Sequence, residues 1–153
     1  MDTLGEGAGI PEIEKWFPRL KETGYRPTSN ASPDYNCIAW AVGRQDRWWE
    51  AEGIPGYYWP DSIARDGTVK SAIALFELLG FDICDNGEIE PGYGKVALYG
   101  DSGSYTHVAR QLENGKWTSK IGRLHDIEHD SLDGLVGQEY GLVINFLKKR
   151  RST

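Results

Sequence analysis

The chain has 153 residues, of which 39% are hydrophobic and 26% charged, with 17 basic against 23 acidic side chains and a net charge of -6. That length suits one domain with a single buried core, and the composition excludes a disordered chain. The acidic balance excludes phosphate-backbone binding as the main activity, and no apolar run reaches the ~18 residues a membrane span needs. Neither nucleic acid nor membrane is therefore expected as a partner.

The opening stretch MDTLGEGAGIPEIEKW has no basic and no apolar region of the kind a secretory leader carries. Two cysteines, Cys37 and Cys84, are too few for a disulfide framework in a chain of this size. The expectation is a cytoplasmic protein, or one exported by a route without an N-terminal signal. We expect one domain over 1–153, with 1–10 as a loose, Gly-rich N-terminus.

Residues 11–22 read as a short helical piece broken at Pro18, and 24–33 as a loop. A helix start follows, with Ser32 able to cap, Pro33 at the first helical position and Asp34 complementing the dipole. That helix is expected over 35–42, ending at Gly43. Residues 44–64 form an aromatic insertion punctuated by Gly and Pro. An amphipathic helix is expected over 66–79, with Val69, Ile73, Phe76 and Leu79 at helical spacing and Gly80 as its stop. Beyond it the period shortens, and 81–84, 95–99, 106–112, 116–121 and 142–147 read as strands, with Asn114–Gly115 as a hairpin signal. Residues 123–136 are polar, with a short helix expected around 130–135. The basic run 148–151 reads as the solvated end of the terminal strand. Helices first and an antiparallel sheet after them make the expected class α+β.

Cys37 lies in the first turn of the expected helix, where the dipole favours the thiolate, the attacking species in cysteine catalysis. His107 opens a later strand. A helix that presents a sulfur, a sheet that presents an imidazole and a third polar group that orients the ring together define a nucleophilic cysteine site.

Residues 35–42, YNCIAWAV, resemble the nucleophile helix of NlpC-type papain-like amidohydrolases, in which an aromatic residue and Asp or Asn often precede the cysteine. PGYGKVALY at 91–99 and HVARQLENGKWTS at 107–119 resemble that family's approach strand and its histidine hairpin. CHAP amidases share the plan. The resemblance covers roughly 30–122. It implies a papain-like α+β fold, with N-terminal helices and a nucleophile helix packed on a small antiparallel sheet. It also implies Cys37 as nucleophile, His107 as base and, twelve positions on, Ser119 as the third residue. Ile38-Ala39 stands where that family often has Ser-Gly.

Hairpin geometry leaves the third position open. A strict two-residue Asn114–Gly115 turn would put Lys120 on the histidine's face, whereas a bulge or a three-residue loop would put Ser119 there. A backbone carbonyl could also orient the ring. Tyr35 and Asn36 are candidates for the oxyanion region. Trp48 and Trp49, and Lys120 as a contact, are candidates for binding substrate.

The expected function is a cysteine hydrolase or acyltransferase acting on a peptide or other amide, without cofactor or metal, as a peptidase, a deamidase or a delivered effector. The alternative is a papain-like module that binds a protein partner without catalysis, as an immunity or adaptor domain. His125 and His129, four apart among carboxylates, would offer a metal pair on a helix, against a plain solvated face. Cys84 reads as an inert strand thiol.

Overall fold

In the computed structural model the described residues are 9–50, 57–101 and 103–151. Most of the expected loose N-terminus and the middle of the aromatic insertion lie outside them. The first helical piece forms as α1 (Ile10–Trp16) and α2 (Leu20–Thr23), separated at Pro18. Then come β1 (Tyr25–Pro27), α3 (Cys37–Ala41), α4 (Val69–Leu78), β2 (Asp82–Cys84), β3 (Tyr93–Gly100), β4 (Tyr105–Gln111), β5 (Trp117–Lys120), β6 (Asp126–His129), a 3₁₀ turn (Leu132–Leu135) and β7 (Leu142–Arg150).

The expected papain-like, helix-packed α+β architecture is overturned. The seven strands form one open antiparallel sheet in the order β1-β6-β5-β4-β3-β7-β2, and the helices are only four to ten residues long. The fold is β-rich. Two strands went unread: β1 is three residues long, and β6 carries the polar sequence DIEH. A hydrophobic alternation rule cannot see a strand whose inward residues include a histidine. The expected adjacency of 95–99, 106–112 and 116–121 does hold, because β3, β4 and β5 are consecutive antiparallel neighbours.

Alternation along the central strands builds two cores. Val96, Leu98 and Val108 face one way, under Ile38, Ala39 and Ala41 of α3 and Ala72, Leu75 and Phe76 of α4. Ala97, Tyr99, Ala109, Ile121 and Ile127 face the other way, over Ile13, Phe17, Leu20 and Leu135. Burial on both sides explains why β3 is apolar along its length rather than alternating. A fully buried Phe76 contributes roughly 1.5–3 kcal/mol, so each face is a substantial source of stability.

Local chemistry sets the helix ends. Thr68 caps α4 by accepting the Ser71 N–H, and Asp66 binds the hydroxyls of Thr68 and Ser71. Asn36, not Ser32, caps α3, and Gly43 at φ 84° closes that helix. Between β3 and β4 the register shifts at Gly100, where a Cβ would collide with the Ser104 carbonyl. That close approach turns 103–106 back beside Cys37.

Candidate functional site

The β4–β5 hairpin decides which side chains can meet. The Leu112 N–H donates to the Lys116 carbonyl and the Gly115 N–H to the Leu112 carbonyl, which makes a three-residue loop. Gly115, at φ 88°, supplies the left-handed residue such a loop needs. Arg110 then pairs with Thr118 and Gln111 with Trp117. In this register the odd-numbered residues of β4 and β5 share a face, and Ser119 joins His107. Lys120 points to the opposite face.

His107 is 0% exposed, its Nε2 lies 2.9 Å from Ser119 Oγ, and its ring stacks on Tyr140 with centroids 4.1 Å apart. Its Nδ1 is buried and makes no hydrogen bond among the described residues. Burial, and secondarily the charge His129 would carry, hold the His107 imidazole well below its ordinary pKa. It is therefore neutral at pH 7.

Cys37 approaches the same strand from the α3 side. Its thiol meets the backbone N–H of Val108, the peptide group immediately after His107. It also lines a hollow of about 250 Å³ with Glu50, Asp66, Ser104, Tyr105 and Thr106. Two other hollows, one beside Phe81, Arg110 and Lys149 and a larger one at 26–30, contain neither Cys37 nor His107.

Cys37 differs from expectation in one respect. Burial pushes its thiol up to about 11, and the N–H groups of Val108 and Ile38 offset this only in part. A five-residue helix offers little dipole, and the low-dielectric setting prevails. The thiol and the imidazole thus both rest in their neutral forms.

The five candidate binding residues are engaged elsewhere. The Asn36 side chain accepts from the Ala39 and Trp49 N–H groups and donates to the Trp49 carbonyl, so it is a cap and a clamp, not an oxyanion donor. The Tyr35 hydroxyl donates to Asp126 Oδ1 at 2.5 Å. Lys120 Nζ donates to the Ser32 and Gly122 carbonyls at 2.6 and 2.7 Å and sits over the Tyr35 ring. Burial lowers that ammonium to about 8. Trp49 is packed in the core with Trp59, so neither ring walls the hollow. Trp48 is half-buried and stacks on Tyr57, with Arg123 over its face. From the described part of the aromatic insertion only Glu50 reaches the hollow.

The expected metal pair is also corrected. Residues 126–129 are a strand, not a helix, and the His129 ring is tied to Ser119 and to the Ser131 carbonyl. Among the described residues, no group of three or more His, Cys, Asp or Glu side chains is arranged to hold a metal ion.

Sequence reasoning missed two participants. Tyr140 lies in a loop with no motif around it. His129 sits ten residues after Ser119, and recognising β6 as a strand would have put both on one face.

The model of a family described as Domain of unknown function (DUF7689) matches residues 26–148, so the chain belongs to that family. The matched stretch spans α3, α4 and β2 to β6 and takes in Cys37, His107, Ser119 and His129. No curated protein and no solved structure matches the chain. No helix among the described residues is long and apolar enough to cross a membrane.

Proposed function

We propose that this protein is a cysteine hydrolase or acyltransferase that opens an amide or related acyl bond through Cys37 and His107. The observation that carries the reading is the state of His107. Its Nε2 is anchored on Ser119, its Nδ1 is buried without a hydrogen-bond partner among the described residues, and the Cys37 thiol meets the N–H of Val108, the next residue of the strand. Buried ring nitrogens are ordinarily satisfied, so this open acceptor, one residue from the Val108 N–H that the thiol meets, supports a proton-accepting role.

The chemistry follows from the neutral resting pair. As Cys37 Sγ attacks the acyl carbon, its proton passes to His107 Nδ1 and the carbonyl π pair moves to oxygen. Collapse of the tetrahedral species breaks the carbon–nitrogen bond, and His107 returns the proton to the leaving amine. Water, or a second nucleophile, then attacks the thioester, giving its proton to His107, which hands it back to the departing thiol. The carboxylates of Glu50 and Asp66 line the entrance, and hydrogen bonds from Ser71 and Thr68 keep Asp66 below its usual pKa. That charge favours a neutral or cationic acyl substrate. The likeness to NlpC-type amidohydrolases is kept only for the short Cys37 and His107 blocks, as support for amide chemistry.

A second reading, a pocket that binds a partner without turnover, is favoured by the complete burial of His107. Acyl trapping separates the two. With p-nitrophenyl acetate and peptide mapping, the hydrolase reading expects an acetyl group on Cys37 that is lost in Cys37→Ala and strongly reduced in His107→Phe. No adduct on Cys37, or equal labelling in His107→Phe, returns the binding reading.

A further inference from the structure

We infer that His129 is a positioning residue for this site: through the hydroxyl of Ser119 it fixes the proton of His107 on Nε2 and leaves Nδ1 as a bare lone pair. The inference rests on the proposed Cys37–His107 pairing for its catalytic meaning, but the tautomer chain itself stands on geometry.

The chain starts at a group whose role has no alternative. The Ser131 carbonyl can only accept, and His129 Nδ1 lies 3.0 Å from it, so that nitrogen carries the proton. In the neutral ring, His129 Nε2 must then be an acceptor. It lies 2.8 Å from Ser119 Oγ, so the serine hydroxyl donates its one proton there. With that proton committed, Ser119 Oγ can only accept from His107 Nε2, 2.9 Å away on its other side. His107 therefore carries its proton on Nε2, and its Nδ1, which has no hydrogen-bond partner among the described residues, is unprotonated.

The His129 ring is held neutral, because burial depresses its pKa to about 4, and the hydrogen bond to the Ser131 carbonyl and the neighbouring Asp130 offset this only in part. The sheet makes the arrangement possible. His129 faces Trp117 across β5–β6, and Ser119 faces Ile127, so the histidine reaches Ser119 on the diagonal. His107 comes from β4 on the other side of β5. Three neighbouring strands thus each contribute one member of a single row. Serine alone would not define the tautomer, because its hydroxyl could equally donate to His107. The second histidine removes that freedom.

Nitrogen-15 NMR of the folded wild-type protein tests this directly. The expected spectrum has His107 protonated on Nε2 and His129 on Nδ1. His107 protonated on Nδ1 in the resting protein overturns the inference without any variant.

Two substitutions extend the test. His129→Gln keeps an amide donor for Ser131 and an acceptor for Ser119, so it should retain the His107 tautomer. His129→Phe frees the Ser119 hydroxyl, so His107 should populate the Nδ1–H form, and alkylation of Cys37 at pH 7 should fall by roughly tenfold, less than the ~10²–10⁴-fold that full base assistance supplies, because part of the population keeps the Nε2–H form. An unchanged tautomer in a folded His129→Phe contradicts the role of His129. If instead the tautomer shifts while Cys37 alkylation does not change, the relay stands and the Cys37–His107 reading fails.

Discussion

His107 Nε2 and Ser119 Oγ are 2.9 Å apart, across the diagonal of two neighbouring strands and fully buried. The hydroxyl is therefore structural as well as chemical. Ser119→Ala leaves two buried ring nitrogens, His107 Nε2 and His129 Nε2, without their shared partner. We expect a loss of roughly 1–3 kcal/mol in urea unfolding. Cys37 alkylation should slow less than in His107→Phe, because Ser119 only orients the ring.

The two histidines make folding sensitive to acid. Their folded pKa values lie below the unfolded value, to about 4 for His129 and well below 6.5 for His107. Between those values the unfolded chain binds more protons, so stability rises with pH there. The contribution is fully present above about 6.5 and is lost as pH falls toward the folded values. For His129 the shift corresponds to roughly 3 kcal/mol. Urea midpoints measured from pH 7 to pH 4 should fall steeply in the wild type and less steeply in His129→Gln.

Asn36 offers a sharper view of what lies before the cysteine. Its amide holds the α3 cap and the backbone of Trp49 at once. Asn36→Ala should cost about 2–4 kcal/mol, from a lost cap and a freed pair of buried backbone groups. The same variant, where folded, should keep the acetylation of Cys37 by p-nitrophenyl acetate within a few-fold. A selective loss of acetylation without loss of stability would instead restore Asn36 as an oxyanion donor.

Lys120 is predicted to matter for stability before chemistry. Lys120→Met keeps the packing over Tyr35 but abandons the Ser32 and Gly122 carbonyls. Thermal unfolding should show a loss of roughly 2–4 kcal/mol. The cation also faces Asp126, which binds Tyr35 and Ser29, so the loop 28–35 should become more open to proteolysis in this variant.

What the sequence made legible follows the reach of each signal. Helix α4 was readable because its cap, its apolar spacing and Gly80 agree, β3 and β7 because their apolar runs are long, and β4 and β5 because the Asn114–Gly115 turn lies between them. The register was half legible. Asn114–Gly115 announced a turn, but whether it held two residues or three rested on Gly115 taking the left-handed conformation, and that alone moves Ser119 onto the face of His107. The architecture was not legible, because β1 and β6 are short and polar and become strands only by pairing with each other and with β5. The thiol's environment was also beyond local reading. A helix start suggested a low pKa, whereas tertiary burial raises it.

The most direct test of the central claim is the rate of Cys37 alkylation by iodoacetamide against pH, followed by mass mapping in a Cys84→Ala background, with His107 intact or replaced by Phe. Phenylalanine keeps the stack on Tyr140 and removes only the ring nitrogens. With His107 present as a neutral base, Cys37 should react at pH 7 at least about tenfold faster than in His107→Phe. The two curves should converge as pH climbs toward the thiol's own value of about 11. Curves that superimpose over the whole range contradict the account, because Cys37 and His107 would then act independently.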